Sequence, residues 1–158
     1  MKLSLISVFA VIALRLLLFK LGRPPEGTDF MLVHFLAIVT VVFFAGQQVL
    51  NADPRSSFPD LMREGFKSAA IYAVIYCVFL VAYYHWLEPQ HFHQRVEDMV
   101  ARGIADGQPE ETIRPRLEKF FTSFNYASMT FFSLLLSGGF FALAVGMLHH
   151  KVLRKFTR

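Results

Sequence analysis

The chain has 158 residues, of which 54% are apolar and 18% are charged, against about 25% charged residues in ordinary soluble proteins. This composition excludes intrinsic disorder, because disordered chains are poor in apolar and aromatic residues. It also excludes a disulfide scaffold, since Cys77 is the only cysteine. The apolar residues are concentrated in long runs, which argues against a soluble enzyme and predicts a small polytopic membrane protein.

Four of these runs approach or exceed the length needed to cross a membrane. A helix needs about 18 to 20 apolar residues to span roughly 30 Å of hydrocarbon. Helix is the default in lipid, because each segment must satisfy its own backbone hydrogen bonds. We therefore predict an all-α membrane protein with a single domain, 1–158, and four transmembrane helices. Their predicted ranges are 3–21, 30–50, 66–87 and 126–148.

The first run also has the outline of a signal peptide, with Lys2 in its basic region. Arg15 and Lys20 follow the apolar stretch, however, and no small-x-small cleavage site precedes Pro24. These features favour a helix that is retained in the protein.

An even number of crossings puts both termini on the same side of the membrane. The tail after the last helix is rich in basic residues. These are Lys151, Arg154, Lys155 and Arg158. Basic residues close to helix ends favour the cytoplasmic side, so we predict cytoplasmic termini. Lys20 and Arg23, beside the first loop, oppose this orientation.

The long polar segment 88–125 lies between the third and fourth predicted helices. Its apolar residues recur at helical spacing to about residue 102, and a stop is expected near Gly103. Acidic residues after Pro109 favour a second helix that Pro115 ends or kinks, although apolar residues beyond it suggest continuation into helix four. We predict an extracytoplasmic amphipathic helical hairpin whose apolar face needs a surface to lie on. The residues predicted to face a partner are Phe92, Val96, Val100, Phe120 and Phe121.

Several motifs together resemble a known family. They are Phe58-x6-Gly65, Tyr84-x4-Pro89-x2-Phe92, Gly103, and Pro109-Glu110-Glu111 before a glycine-rich last helix. With these features the chain, best from 45 to 155, is similar to the bacterial four-helix membrane proteins of domain of unknown function family 4199, common in Bacteroidota. The resemblance implies a bacterial inner (cytoplasmic) membrane location and a polar helical loop before the last span, and it implies no activity. Arg15 departs from the family pattern.

Arg15 is the one charge well inside a predicted span. A charge in a span is costly and is a functional hypothesis by default. In one interpretation its long side chain reaches the headgroups near Lys20 or pairs with an outer-loop acid such as Glu88. In the other, Arg15, Lys20 and His34 contact a lipid phosphate or a small anionic solute. The alternative for His34 is a hydrogen bond to a neighbouring helix. The sequence leaves both interpretations open and favours the first.

A run of polar residues follows the third helix. Its possible ligands are His85, Glu88, His91 and His93. Zinc takes about four such ligands, but the spacing fits no known zinc motif, and Trp86 beside them is typical of a membrane interface. We therefore predict no metal site, no catalytic residues and no cofactor. His149 and His150, at the other end of the bundle, are predicted to be solvated.

Small residues form stripes on two predicted helices. They are Ala69, Ala73 and Cys77 on helix three, and Gly138, Ala142 and Gly146 on helix four. Small residues let helix backbones approach closely in lipid, so the stripes are predicted to face each other or a partner helix. A second stripe on helix three is aromatic. Its members, Tyr72, Tyr76, Phe79 and Tyr83, either line a cavity or pack, and packing is favoured.

No glycine-rich phosphate loop, haem-attachment cysteine pair or framed serine nucleophile is present in the sequence. We therefore expect a non-enzymatic accessory or scaffold subunit of a larger membrane complex. The alternative is an oligomeric carrier or binder of a lipid-linked or small anionic solute. Expected partners are membrane lipids and other integral membrane subunits or further copies of the chain. The net charge of +4 is assigned to the membrane surface and not to nucleic acid.

Overall fold

The computed structural model describes residues 2–23 and 27–156, and these form helices without any strand. The all-α prediction is therefore confirmed for the described part of the chain. The helices are α1 (Lys2–Lys20), α2 (Gly27–Ala52), α3 (Phe58–Trp86), α4 (His91–Ala105), α5 (Glu110–Phe120), α6 (Ser123–Lys151) and a short 3-10 helix, η1 (Leu153–Phe156). The two prolines of the first loop predict a tight, stiff turn there, and Pro24, Pro25 and Glu26 lie outside the described residues.

Within the described residues, four helical segments are long and apolar enough to cross a membrane, as predicted. They are Lys2–Lys20, Phe30–Ala52, Phe58–Trp86 and Ser123–Lys155. The chain is thus compatible with a multi-pass membrane protein. Helix α3 has 29 residues, which gives about 43 Å at 1.5 Å per residue. It therefore exceeds the roughly 30 Å of a hydrocarbon core.

Local hydrogen bonds set the ends of the helices. Ser57 precedes α3, where its N–H donates to the Asp60 carboxylate at 3.0 Å and its Oγ accepts the Asp60 N–H at 3.4 Å, a reciprocal cap. Gly107 follows α4 with a φ of +81°. Its N–H donates to the Ile104 carbonyl, and the Gln108 N–H donates to the Gly103 carbonyl. This is the glycine-dependent Schellman ending.

The structure divides into two compact units. The first comprises the described residues up to Tyr76 together with those from Phe131 onward. In it α1 packs on α2, and α3 approaches α6 closely. A Cβ placed on Gly138 would lie 2.6 Å from the Cβ of Ala69, and one on Gly65 would lie 3.4 Å from the Cβ of Ala142. Glycine is therefore required at Gly138, where an added Cβ would overlap that of Ala69.

The second unit runs from Cys77 to Thr130 and contains the α4–α5 hairpin. Gly103 lies inside α4 and does not end it; a Cβ there would meet the side-chain tip of Ile113 at 2.5 Å. The predicted stop near Gly103 is thus displaced to the Schellman ending. Pro115 lies inside α5, which runs on to Phe120, so the proline does not end this helix. Its missing N–H removes the bond to the carbonyl of Glu111.

Helix α5 does not continue into α6, contrary to the suggested continuation. Asn125 Nδ2 donates to the carbonyls of Lys119 at 2.9 Å and Phe120 at 3.1 Å. Thr122 Oγ1 accepts the N–H of Asn125 at 3.1 Å. These side chains satisfy the backbone groups at the end of one helix and the start of the next, so the chain turns between them.

Candidate functional site

Within the first unit, four polar side chains from three different helices meet in the interior. They are Arg15 of α1, His34 of α2, and Tyr72 and Tyr76 of α3. Arg15 is 4% exposed, His34 is 6% exposed, and both tyrosines are fully buried. We call this group the Arg15 cluster. Tyr72 and Tyr76 are four residues apart, so they lie on the same face of α3.

Arg15 is bound by protein groups. Its Nη1 donates to the hydroxyl of Tyr76 at 3.1 Å, and its Cζ lies 5.5 Å from the centre of the Phe30 ring, which is within cation–π range. The guanidinium therefore lies among buried side chains. This placement does not match the interpretation in which Arg15 reaches out to the headgroups. Lys20 is exposed at the end of α1 and is not part of the cluster.

His34 connects the two tyrosines. Its Nδ1 is 2.7 Å from the hydroxyl of Tyr72, and its ring centre is 4.3 Å from that of Tyr76, nearly edge-on. Phe30, one turn earlier on α2, meets the His34 ring edge-to-face at 5.1 Å. Side-chain contacts thus run from Arg15 through Tyr76 and His34 to Tyr72 and connect three helices. The contact between Tyr76 and His34 is between their rings, and the other two are hydrogen bonds. Phe30 was not singled out in the sequence, although its spacing of four from His34 is the signal that could have identified it.

The two small-residue stripes come into contact in the structure. Ala69, Ala73 and Ala142 are buried. Gly146 lies over the start of α3, where a Cβ would be 3.6 Å from the backbone nitrogen of Met62. In the second unit, Cys77 Sγ donates to the carbonyl of Ala127 in α6 at 3.5 Å. The spacing of four along each helix therefore corresponds to an antiparallel helix–helix contact.

The prediction that His149 is solvated is wrong, because its side chain is fully buried. Its Nδ1 is 2.9 Å from the carbonyl of Val145. The ring occupies the space that the missing side chain of Gly46 leaves, where a Cβ would be 3.0 Å from Nδ1. The ring of Phe43 also packs against His149, with ring centres 4.9 Å apart. His150 is half-buried against the ring of Phe58.

In the second unit, part of the apolar face of α4 is buried. Val96 is 3% exposed and Val100 is 2% exposed, so the prediction that these two valines face a partner is wrong. Helical spacing identifies an apolar face but not the element that covers it. Phe92 and Phe121 are half-buried, and Phe120 is exposed. Phe92 packs against the ring of Tyr84 at 4.8 Å between centres.

Arg114 of α5 holds the hairpin together. Its Nη2 donates to Glu97 Oε2 of α4 at 3.0 Å, and its Nε donates to Glu110 Oε1 at 2.8 Å. The hydrogen bond from Arg114 lowers the pKa of the Glu97 carboxyl below its ordinary value. The same bonds, to Glu97 first and then to Glu110, raise the pKa of the Arg114 guanidinium. Paired donors of this kind favour one geometry of arginine and carboxylate.

A cleft of about 350 Å³ opens between α4 and α5. We call it the hairpin cleft. Its apolar lining consists of Met99, Ile113 and Leu117, all half-buried. Its charged lining consists of Arg102, Asp106 and Arg116, all exposed. Gly103 and Gln108 complete it. An apolar floor with a net positive rim is suited to an apolar side chain that is flanked by carboxylates.

Among the residues that the structure describes, no three histidine, cysteine or acidic side chains come together as a metal site. In the run after α3, His91 Nδ1 is 3.6 Å from Glu88 Oε1, and His85 and His93 are exposed. The chain matches no protein-family model, no curated protein and no solved structure. Its resemblance to domain of unknown function family 4199 therefore stays a prediction.

Proposed function

We propose that this protein is a non-enzymatic accessory or scaffold subunit of a larger bacterial inner-membrane complex. Both termini lie in the cytoplasm and the α4–α5 hairpin lies on the outer side. The four apolar helices anchor the chain, and the hairpin offers the surface that a partner subunit recognises. The observation that carries the proposal is the hairpin cleft, which combines an apolar floor with a charged rim.

The bracing of the hairpin supports this role. Arg114 joins α4 to α5 through Glu97 and joins two turns of α5 through Glu110. Val96 and Val100 are buried on the inner face of α4. A surface that is already held in shape loses less conformational entropy when a partner binds, so the same contacts give a tighter complex. The floor of the cleft remains accessible while the inner face of the hairpin is covered.

The Arg15 cluster supports the same proposal over a carrier of anionic solutes. A carrier needs Arg15 or His34 to face its ligand, and these side chains are 4% and 6% exposed. They contact Tyr76 and Tyr72 instead. Polar contacts between helices are a means of holding helices together in lipid, which is what a scaffold subunit requires.

The test is co-purification after gentle detergent extraction, with a variant that blocks the hairpin cleft. Leu117→Asp puts a charge on the cleft floor. Thr112→Asp makes the same change in charge on the same helix, at an exposed residue outside the cleft. We expect the unaltered protein to retain a partner subunit and Leu117→Asp to lose it by about 10-fold or more, as for a central interface residue. Thr112→Asp should retain it.

Two outcomes contradict the proposal. One is a chain that runs as a lone monomer with no co-purifying protein. The other is equal retention of the partner by Leu117→Asp and the unaltered protein, with matching thermal unfolding to show that both are folded. Reporter fusions at the two ends of the chain test the topology separately, since termini on opposite sides would remove the predicted outer position of the hairpin.

A further inference from the structure

A second cleft, of about 370 Å³, lies where the last apolar span ends. Its lining is entirely basic or imidazole: His150, Lys151, Arg154 and Lys155. The chain leaves α6 after Lys151 and turns through η1, where the N–H of Lys155 donates to the carbonyl of Val152. The tight turn brings residues from both sides of the helix end around one opening. We call it the tail cleft.

Arg154 is held in position at this cleft. Its Nη2 donates to the backbone carbonyl of Ser56, in the connection before α3. Its Nε is buried and has no hydrogen-bond partner in the described structure. A buried donor without an acceptor is costly, so an acceptor that reached this nitrogen would remove the cost. His150 is also positioned, edge-on to the ring of Phe58.

The cations of the tail cleft are not neutralised by the described part of the chain. Lys151, Arg154 and Lys155 form no ion pair with any carboxylate there, whereas Lys67, on α3, pairs with Glu64 at 3.4 Å. Lys151 and Lys155 are exposed. Val152, beside them, is 44% exposed. The opening thus combines concentrated positive charge with an adjacent apolar side chain.

We propose that the tail cleft binds the phosphate headgroup of an anionic phospholipid. Arg154 supplies a fixed guanidinium and Lys151 and Lys155 supply two mobile ammonium groups, while the exposed Val152 lies where an acyl chain begins. Charge, unused donors and an apolar neighbour at the end of a span fit a lipid better than a free anion, which has no use for the apolar side chain. This inference is independent of the partner at the hairpin and of which side of the membrane the tail occupies.

The test uses the purified chain in a neutral detergent, titrated with phosphatidylglycerol and observed by native mass spectrometry. Lys151→Gln/Lys155→Gln removes two exposed charges that make no hydrogen bond in the described structure. We expect this variant to bind phosphatidylglycerol about 20- to 30-fold more weakly, since each basic residue near an anionic surface contributes about a 5-fold factor. Lys151→Arg/Lys155→Arg should bind as the unaltered chain does.

The matched control is Arg95→Gln/Lys119→Gln, which removes the same charge from exposed positions of the second unit that do not line the tail cleft. It should bind phosphatidylglycerol within about 2-fold of the unaltered chain, because screening limits the effect of an exposed charge that does not contact the lipid. Equal losses in the two glutamine variants would mean a diffuse surface field and would overturn the proposal. Equal affinity for phosphatidylcholine, or displacement of the lipid by inorganic phosphate at equal concentration, would overturn it as well.

Discussion

Arg15 and Arg114 place the same guanidinium in opposite surroundings. Arg15 is buried in the first unit, against the Tyr76 hydroxyl and the Phe30 ring. Arg114 is partly exposed in the second unit and is held by the carboxylates of Glu97 and Glu110. Among the contacts of the described residues, the buried arginine meets a tyrosine hydroxyl and an aromatic ring, and the partly exposed arginine meets two carboxylates.

We expect the surroundings of a charged group to determine its contribution to stability more than the number of its partners does. A hydrogen bond in apolar surroundings is stronger, and an unmade one is more costly, because little solvent competes for it. Exposed ion pairs are screened by water and contribute little. The Arg15 cluster should therefore control the stability of the helices, whereas Arg114 should affect only the local shape of the hairpin.

The largest effect is expected from Tyr76→Phe, which removes the hydroxyl that accepts from Arg15. The free energy of unfolding should fall by about 1.5 to 3 kcal/mol, the range for hydrogen bonds to charged groups. The measurement is reversible unfolding by sodium dodecyl sulfate in mixed micelles. Tyr126→Phe is the control, because its exposed hydroxyl makes no hydrogen bond to the described residues. An equal change in both variants would contradict the prediction that the Arg15 cluster controls the stability of the helices.

A second comparison uses one glycine from each unit. Gly138→Ala should lower the free energy of unfolding by about 1 to 3 kcal/mol through overpacking, because its new Cβ meets the Cβ of Ala69. Gly103→Ala meets only the flexible tip of Ile113 and should be nearly neutral. Adding Ala69→Gly should recover much of the loss at Gly138. No recovery in the double variant would show that the two helices do not touch there.

A smaller effect is expected from Tyr72→Phe, which removes the partner of His34 Nδ1. Neither of these groups carries a permanent charge, so the free energy of unfolding should fall by about 1 kcal/mol. The same micelle titration measures it, side by side with Tyr76→Phe. A loss for Tyr72→Phe greater than that for Tyr76→Phe would reverse the predicted order within the cluster.

The smallest effect is expected for the pH dependence of the stability of the hairpin. Since the pKa of Glu97 is lowered in the folded hairpin, its bond to Arg114 stabilises the hairpin above the ordinary glutamate pKa of about 4.3. This contribution is lost as the pH falls through the lowered value. Hydrogen exchange of α4 and α5, corrected for intrinsic rates, should show the loss.

Two variants sharpen the pH measurement. Glu97→Gln should remove this part of the pH dependence, while Glu118→Gln, at an exposed residue of the same hairpin, should leave it in place. Protection of α1 and α2 should not follow the same titration, since Arg114 and Glu97 both belong to the second unit. Identical pH profiles for Glu97→Gln and the unaltered chain would show that the Arg114 bond does not stabilise the hairpin.

The turns were only partly predictable. Pro109 and the acids after it were correctly associated with the start of α5, because proline and acidic residues suit a helix N-terminus whatever the tertiary surroundings. The sequence predicts a helix end near Gly103, whereas this glycine lies inside α4 and provides room for Ile113. A glycine suits both roles in sequence, and only the neighbouring helix distinguishes them.

The hydropathy pattern of the sequence did not predict which particular side chains are buried. His149 lies near the end of an apolar run, where a solvated histidine is the ordinary expectation, yet Gly46 of another helix leaves it a buried space. Val96 and Val100 marked an apolar face correctly, but this face is buried in the folded chain. Periodicity reports which side of a helix is apolar and carries no information about what lies against it.

The sequence by itself determined the number, the kind and the approximate extent of the apolar helices. Hydrocarbon thickness and the need to pair every backbone group leave few other solutions for such runs. Only the tertiary structure decided the partners of the polar side chains, because those partners are remote along the chain: Arg15 and Tyr76 are 61 residues apart, and His34 and Tyr72 are 38 apart. Such contacts depend on the rotation and depth of each helix against its neighbours, which side-chain packing sets and hydropathy does not record.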